Sequence, residues 1–303
     1  MTTALLAIDW GTTTARIYRL DAAGEVLDHR SGPYGISQVS DGNFSAALAT
    51  LLGDWASDPA PRLACGMIGS RQGWREAPYV ACPASLDALA NGIVAAGDEL
   101  LIVPGLITRD ARGIPDVMRG EETQLAGAVA RDEPRVLAIL PGTHSKWAIV
   151  EQGTVVDFAT YMTGELYSVL LEHSILGRLA ESPTEDPAGF ACGVQHGLQS
   201  RGLTHDLFAA RTLALTGELA GNQVGPWLSG LLIGREIQDG RTWFEQRTDV
   251  SLKDTAVRLI GAATLSQRYI EALELAGHTV LPGRADAAAH GLWSIARQAE
   301  IVR

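Results

Sequence analysis

One short pattern opens each half of this chain and limits its fold more than any other feature. The pattern is an apolar strand, a small polar turn, a second strand, a glycine and a third strand. It begins at Leu5 and again at Val136, about 130 residues later. The polar turns are 9–14 and 141–145, and the glycines that follow the second strands are Gly24 and Gly153. This repeat predicts an internal duplication.

The length of the chain fits two domains. Its 303 residues are comfortable for two domains of about 150 residues each. A polar, proline-containing joint at 132–134 predicts the boundary, with an N-terminal domain at 1–133 and a C-terminal domain at 134–303. Strand-like runs alternate with helical periodicity in both halves, which predicts a layered α/β architecture.

Charge and composition disfavour several kinds of partner. The formal net charge of −11 repels nucleic acid and anionic membranes. No apolar run approaches the roughly 18 residues that a membrane helix needs, and the N-terminus lacks a signal-peptide pattern. The three cysteines are odd in number and have no metal-ligand spacing, which indicates a reducing compartment. We therefore expect a cytoplasmic protein.

The two polar turns have the composition of phosphate-binding loops. Gly11 permits close approach of a ligand to the backbone, and Thr12 and Thr13 offer hydroxyl and N–H donors. Asp9, at the end of the first strand, is suited to hold a hydrated magnesium ion through water. The second turn offers similar donors from Gly142, Thr143, Ser145 and Lys146. One such turn is more often an ordinary hairpin, but two favour phosphate binding.

The motifs of other nucleotide-binding folds are missing from the sequence. No G-x-x-x-x-G-K-[ST] loop and no G-x-G-x-x-G turn occurs. A P-loop kinase and a Rossmann dehydrogenase are therefore disfavoured.

Two residues of the second polar turn also have structural interpretations. Lys146 is compatible with a paired surface lysine, and His144 with a locally hydrogen-bonded structural residue.

Several strings, in their order along nearly the whole chain, carry a family resemblance. They are IDWGTTTARIYRL (8–20), GMIGSRQGWREAPY (66–79), PDVMRGEETQLAG (115–127), LPGTHSKW (140–147), YMTGELYSVL (161–170) and LSGLLIGRE (228–236). Together they resemble the 2-dehydro-3-deoxygalactonokinase family of the actin/hexokinase superfamily.

The resemblance implies a fold and a reaction. The fold would be two ribonuclease-H-like domains, the actin-like ATPase fold, with an active-site cleft between them. ATP, with Mg²⁺, would phosphorylate the 6-hydroxyl of 2-dehydro-3-deoxy-D-galactonate to the 6-phosphate in galactonate breakdown. One departure is Gly261-Ala262, where related kinases usually carry Gly-Gly at the start of the adenosine pocket.

A carboxylate near the acceptor hydroxyl would take its proton. Kinases of this superfamily place an acid just before a helix, and Glu121 and Glu122 occupy the segment that resembles it. Glu122 is favoured by a small margin, and Asp116 is a third candidate. Both glutamates are equally compatible with a helix N-terminus, where acids are favoured electrostatically.

Binding the substrate carboxylate calls for arginine, whose fork matches two oxygens. Arg71 lies between glycines in the string at 66–79 and is the stronger candidate, while Arg119 adjoins the acidic pair. The other candidates for substrate contact are Ser70, Trp74, Thr163 and Glu165. Trp74 is slightly better explained as an anchor for its loop, and Glu165 is as easily a helix-start residue.

Three alternatives are compatible with the sequence. The chain could be a kinase for another sugar or sugar acid, although the two arginines favour an acid. It could be a non-catalytic, actin-like nucleotide-binding module, but such modules carry insertions for partners and this chain is compact. A regulatory sugar sensor would normally add a DNA-binding segment, and no basic helical segment is present. A homodimer is compatible with the sequence.

Overall fold

The computed structural model describes residues 2–97, 100–181 and 186–303. The chain forms two compact units. The first contains Met1–Arg135, Ala148–Phe158 and Gly283–Arg303, and the second contains Val136–Trp147 and Ala159–Pro282. This division differs from a single cut after residue 133, because two later segments pack with the N-terminal part. Such packing depends on long-range contacts, which a local change of composition cannot reveal.

The strands and helices alternate along the chain, as expected for an α/β protein. The strands are β1 (Leu5–Trp10), β2 (Ala15–Leu20), β3 (Val26–Gly32), β4 (Arg62–Cys65), β5 (Tyr79–Ala81), β6 (Val94–Ala96), β7 (Leu100–Ile102), β8 (Gly105–Arg109), β9 (Pro115–Met118), β10 (Val136–Leu140), β11 (Ser145–Glu151), β12 (Thr154–Tyr161), β13 (Val257–Leu259) and β14 (Val280–Pro282). The α-helices are α1 (Phe44–Leu52), α2 (Leu86–Asn91), α3 (Glu121–Ala128), α4 (Thr163–His173), α5 (Pro187–Gln199), α6 (Leu203–Asp206), α7 (Ala209–Leu215), α8 (Gly221–Thr248), α9 (Ala263–Leu275) and α10 (Ala287–Gln298).

The first large sheet has the strand order β3-β2-β1-β4-β7-β6. Strands β1, β2 and β3 form an antiparallel meander, and β4 and β7 continue the sheet parallel to β1. The residues Leu5 to Ile8 of β1 are completely buried, as expected for an apolar central strand. Asp9 follows this buried run and pairs in register with Arg16 of β2.

The second large sheet repeats this order as β12-β11-β10-β13-β14. Its first strand, β10, is parallel to β13, and β13 is parallel to β14. Both sheets therefore contain three consecutive strands in the order third, second, first, followed by two parallel strands. The predicted duplication is confirmed by this shared topology, and so is the α/β architecture with two units.

A small third sheet positions the start of α3. Its order is β5-β8-β9, with β5 parallel to β8 and β8 antiparallel to β9. Strand β9 ends at Met118, so that Arg119 and Gly120 form the short connection to Glu121, the first residue of α3. Arg119 and Gly120 are thus held between a paired strand and a helix.

Two helix pairs pack through glycines that allow their backbones to touch. In the first unit, a Cβ on Gly291 of α10 would lie 1.8 Å from the carbonyl oxygen of Thr123 in α3. In the second unit, a Cβ on Gly230 of α8 would lie 2.1 Å from the carbonyl oxygen of Phe190 in α5. Real Cβ atoms cannot approach so closely, so glycine is required at both positions. Helix α10 thereby fixes α3.

Among the described residues, none of the helices combines the length and apolar character that crossing a membrane would require.

Candidate active site

The turn between β1 and β2 leaves backbone donors available. The carbonyl oxygens of Gly11 and Thr12 accept hydrogen bonds of 3.0 Å from the N–H groups of Ile36 and Ser37. Within the described part of the chain, the N–H groups of Thr12 and Thr13 have no protein acceptor, and both residues are exposed. Successive free N–H groups in a tight turn can bind an anion.

Asp9 lies beside this turn with a partly shielded carboxylate. Its Oδ2 lies 3.8 Å from a guanidinium nitrogen of Arg16, and its Oδ1 lies 4.0 Å from the sulfur of Cys65. Burial raises the pKa of Asp9, and the positive charge of Arg16 opposes that change. The described residues contain no group of three or more His, Cys, Asp or Glu side chains arranged for a metal ion. A single carboxylate beside an exposed turn would suit a magnesium ion that keeps most of its waters.

Glu122 is a fully enclosed carboxylate in the first turn of α3. Its side chain is 1% exposed. Its Oε2 accepts a hydrogen bond of 2.6 Å from the N–H of Gly120, and its Oε1 accepts one of 3.0 Å from the hydroxyl of Thr123. Burial raises the pKa of Glu122 to about 7, and the charge of Glu121 adds to the shift. A carboxyl group with this pKa is suited to act as a general base near neutral pH.

Glu121 occupies a different environment. It is half-buried, and its Oε2 accepts a hydrogen bond of 3.0 Å from the N–H of Arg119. Both glutamates therefore accept from backbone groups just before α3, in agreement with a capping role. The capping role and a catalytic role are compatible, and complete burial distinguishes Glu122 from its half-buried neighbour.

Two glycines with positive φ bring the end of β4 to the start of α3. Gly66 follows Cys65 with φ 90°, and Gly120 has φ 109°. A Cβ on Gly120 would lie 3.2 Å from the Cα of Gly66. The buried Cys65 thiol is affected by both Asp9 and Glu122, because burial and the charges of these two carboxylates raise its pKa. The first unit thus gathers Asp9 and the acidic pair around one close backbone contact.

The second polar turn, between β10 and β11, is held by the start of α4. The N–H of Glu165 donates a hydrogen bond of 3.0 Å to the carbonyl oxygen of Thr143, and its carboxylate contacts the ring of His144. Thr143 is exposed and Gly142 is partly exposed. The predicted phosphate contacts at Gly142 and Thr143 are therefore accessible, and Glu165 and His144 are engaged with each other.

Ser145 and Lys146 follow this turn but point to protein partners. Ser145 is completely buried, and its hydroxyl lies 2.7 Å from the hydroxyl of Tyr269. Lys146 is 6% exposed, and its ammonium group donates a hydrogen bond of 2.7 Å to the hydroxyl of Thr160. These contacts hold the first residues of β11, directly after the turn.

A buried carboxylate in α8 connects this region to two aromatic side chains. Oε1 of Glu236 accepts a hydrogen bond of 2.8 Å from the indole N–H of Trp147, and Oε2 accepts one of 2.6 Å from the hydroxyl of Tyr269. The side chain of Thr163 also hydrogen bonds to Glu236, and burial raises the pKa of Glu236. Sequence reasoning did not single out Glu236, although an acid closing the apolar string at 228–236 was the available signal.

A pocket of the second unit adjoins the same turn. Gly142, Thr163, Tyr167, Ser229 and Arg268 are among its lining residues. Arg268 was not predicted, and its side chain hydrogen bonds to Tyr167.

Gly261 and Ala262 immediately precede α9, the helix that carries Arg268. Both residues are exposed, so the departure from Gly-Gly adds only one accessible methyl group.

The residues predicted to contact the substrate fall into different environments. The side chain of Arg71 is 87% exposed and forms an ion pair of 3.0 Å with Glu76. Trp74 stacks on Phe44, with ring centroids 6.3 Å apart, and packs against the core of the first unit. Trp74 therefore anchors its loop. Thr163 is buried and belongs to the hydrogen-bond network of the second unit.

Arg119 is partly buried by its surroundings. Its Nη2 donates a hydrogen bond of 2.8 Å to the carbonyl oxygen of Ala77, and its guanidinium lies 4.4 Å from the centre of the Tyr79 ring. Ser70 lies on the neighbouring loop with a buried hydroxyl.

Comparison with known proteins finds one family along nearly the whole chain. The 2-keto-3-deoxy-galactonokinase family matches residues 9–295. The chain is 35% identical over 298 residues to the 2-dehydro-3-deoxygalactonokinase of Escherichia coli K12, covering 98% of each chain. It is also similar to the crystal structure of a putative 2-dehydro-3-deoxygalactonokinase from Sinorhizobium meliloti, with 35% identity, a TM-score of 0.86, and coverage of 97% of this chain and 98% of that one.

A more distant structure shares the fold alone. The activator of 2-hydroxyisocaproyl-CoA dehydratase from Clostridium difficile is 11% identical, with a TM-score of 0.51 and coverage of 99% of this chain and 96% of that one. The family match and the close relatives together extend over nearly the whole chain. The chain therefore belongs to the 2-keto-3-deoxy-galactonokinase family, whose members are sugar-acid kinases.

Proposed function

We propose that this kinase transfers the γ-phosphoryl group of ATP to the 6-hydroxyl of 2-dehydro-3-deoxy-D-galactonate, giving the 6-phosphate and ADP. Family membership supports the sugar-acid class of the acceptor. The observation that carries the chemistry is Glu122, a buried carboxylate with a pKa of about 7 in the unit that also contains Asp9.

Glu122 would act as the general base. Above its pKa the carboxylate is charged and can accept the proton of the acceptor hydroxyl. The hydroxyl oxygen forms a bond to the γ-phosphorus while the bond to the β,γ-bridging oxygen breaks and ADP leaves. Removing the proton through a positioned base contributes roughly 10²–10⁴-fold in typical enzymes.

The two turns would hold the phosphates. In the first unit, the free N–H groups of Thr12 and Thr13 are suited to accept phosphate oxygens. In the second unit, Gly142 and Thr143 would do so, while Ser145 and Lys146 hold their turn through Tyr269 and Thr160.

Other predicted residues would bind the nucleoside and the metal ion. Gly261 and Ala262 would border the nucleoside, and Arg268 supplies a cation in the nearby pocket. Asp9 would hold magnesium through water, and the ion would offset phosphate charge when bound. Glu165 would contribute a polar group at the second turn.

The reaction would take place in the cytoplasm. Cys65, Cys82 and Cys192 are all free thiols, in agreement with a reducing compartment. The partners would be the sugar acid and ATP, without nucleic acid or membrane, and a homodimer stays a prediction.

A coupled ADP-release assay tests the function. Magnesium-ATP is supplied with 2-dehydro-3-deoxy-D-galactonate, its gluconate epimer, galactonate or galactose. We expect turnover on the first acceptor. Turnover on another acceptor alone would replace the substrate assignment, and turnover on none, with ATP still bound, would favour the nucleotide-binding module.

The base is tested in the same assay. Glu122→Gln should lower kcat by about 100-fold or more while calorimetry shows nearly unchanged ATP affinity. Glu121→Gln, which removes the neighbouring carboxylate, is the matched control and should retain most of the activity. Equal losses in both variants would contradict the assignment of the base.

A further inference from the structure

We propose that Arg119 and Ser70 form the subsite that binds the substrate carboxylate, and that Arg71, the more prominent arginine in the sequence, does not take part. This inference rests on the proposed function as a sugar-acid kinase and identifies which residues select an acid.

The guanidinium group of Arg119 has buried donors without partners. Its Nη2 hydrogen bonds to the carbonyl oxygen of Ala77 at 2.8 Å. Its Nε and Nη1 are buried, and no acceptor for them exists within residues 2–97, 100–181 and 186–303. A buried cation with unsatisfied donors is costly unless a ligand or water completes it. The group that best satisfies both its charge and its N–H donors is an oxyanion.

A second orphaned donor lies on the adjoining loop. The hydroxyl of Ser70 is buried and has no partner in the described part of the protein. The preceding residue, Gly69, is in close contact with the arginine, since a Cβ on Gly69 would lie 2.8 Å from Nη1 of Arg119. Glycine at this position therefore lets the loop that carries Ser70 approach the guanidinium closely. The unsatisfied groups of Arg119 and Ser70 are consequently close to the same stretch of backbone.

The surroundings hold the arginine in place before a ligand arrives. The Tyr79 ring lies under the guanidinium, 4.4 Å from its carbon, and the Ala77 carbonyl fixes one edge. The backbone N–H of Arg119 is bound by Glu121, at the start of the helix that carries Glu122. A preorganised arginine loses less freedom on binding than a mobile one, which favours both affinity and orientation.

Arg71 has the opposite properties. Its side chain is 87% exposed, and its Nε is paired with the carboxylate of Glu76 at 3.0 Å. Water screens such a cation, and its own partner competes with a ligand carboxylate. Because the chain has a net charge of −11, an anionic substrate needs a local and shielded cation. Arg119 meets that requirement and Arg71 does not.

The experiment compares two acceptors that differ only at carbon 1. One is 2-dehydro-3-deoxy-D-galactonate, and the other is its neutral C1 carboxamide. Arg119→Gln should raise KM for the acid by about 100-fold and change KM for the carboxamide by less than about threefold. Ser70→Ala should raise KM for the acid by about tenfold. Arg71→Gln should leave both values within about threefold, and Arg75→Gln, an exposed arginine of the same loop, is the matched control.

The outcomes separate the competing explanations. Equal losses on both acceptors in Arg119→Gln would show that Arg119 has only a structural role, and a selective loss in Arg71→Gln would assign the carboxylate to Arg71. Either result would overturn the proposal. If Arg119→Gln fails to fold, Arg119→Lys replaces it in the experiment. This variant keeps the positive charge but lacks the two-pronged guanidinium, and it should also lose selectivity for the acid.

Failure of the proposed function gives a different result. If the wild-type protein phosphorylates neither acceptor, calorimetric binding of the acid still tests the subsite. The affinity should then fall about 100-fold in Arg119→Gln and stay unchanged in Arg75→Gln. Unchanged affinity in Arg119→Gln would contradict the subsite.

Discussion

The backbone N–H of Gly120 donates a hydrogen bond of 2.6 Å to Oε2 of Glu122, two residues ahead in the chain. This bond favours the charged carboxylate, whereas burial and the charge of Glu121 favour the neutral acid. Burial is the larger effect, so the pKa rises to about 7. The protonation state of Glu122 therefore changes within the physiological pH range.

Activity should follow this titration. A base must be deprotonated, so kcat/KM should rise with pH and level off above about 7. Because the charge of Glu121 raises the pKa of Glu122, Glu121→Gln should move the midpoint to lower pH. A pH–rate series on both proteins measures the two midpoints. A midpoint that shifts upward in Glu121→Gln, or a flat wild-type profile, would contradict the role of Glu122.

Stability should depend on the same group. Glu122 has a raised pKa when folded, so the folded state holds its proton more tightly, and stability is lost as pH rises from about 4.5 through about 7. This shift corresponds to about 3 kcal/mol. Glu122→Gln removes this dependence of the free energy of unfolding on pH. The variant should therefore be more stable than the wild type at pH 8 and about equally stable at pH 4. Urea unfolding at both pH values gives the comparison, and Glu274→Gln, at an exposed glutamate, controls for general charge removal.

The link between Tyr269 and Glu236 should contribute to the stability of the second unit. Tyr269→Phe removes the hydroxyl that contacts both Ser145 and Glu236, and it should lower the free energy of unfolding by about 1–3 kcal/mol. In a double-mutant cycle, Tyr269→Phe and Ser145→Ala should be less than additive, because they remove the same hydrogen bond. Tyr34→Phe, at an exposed tyrosine, is the control. Additive losses would show that the two hydroxyls are not coupled.

The positive φ of Gly120 should make this position intolerant of a side chain. Gly120→Ala must adopt φ 109° and place a Cβ 3.2 Å from Gly66, so we expect a loss of about 1–3 kcal/mol and reduced activity. Gly113 also has a positive φ, 81°, but a Cβ there would meet no atom within 4 Å. Gly113→Ala should therefore cost about 1 kcal/mol and leave kcat unchanged. Equal effects on kcat would show that the contact between Gly66 and Gly120 does not position the acidic pair.

The domain boundary shows where local patterns stop being informative. The joint at 132–134 lies close to Arg135, where the main segment of the first unit ends. Composition could not show that 148–158 and 283–303 pack with that unit. Their assignment depends on contacts such as that between Gly291 and Thr123, which are separated by more than half of the chain. No window of sequence contains both partners.

The sequence by itself determined the repeated strand order, the two polar turns, the acidic pair at a helix start and the family. These features follow from the alternation of apolar residues, from turn-forming residues and from ordered strings, all of which are local. Only the tertiary structure decided that Glu122 is buried with a pKa near 7, that Glu236 binds Trp147 and Tyr269, and that Arg119 has unsatisfied donors while Arg71 is paired in solvent. The physical reason is that burial and hydrogen-bond partners are set by residues distant in the chain, and these decide the charge and availability of each group.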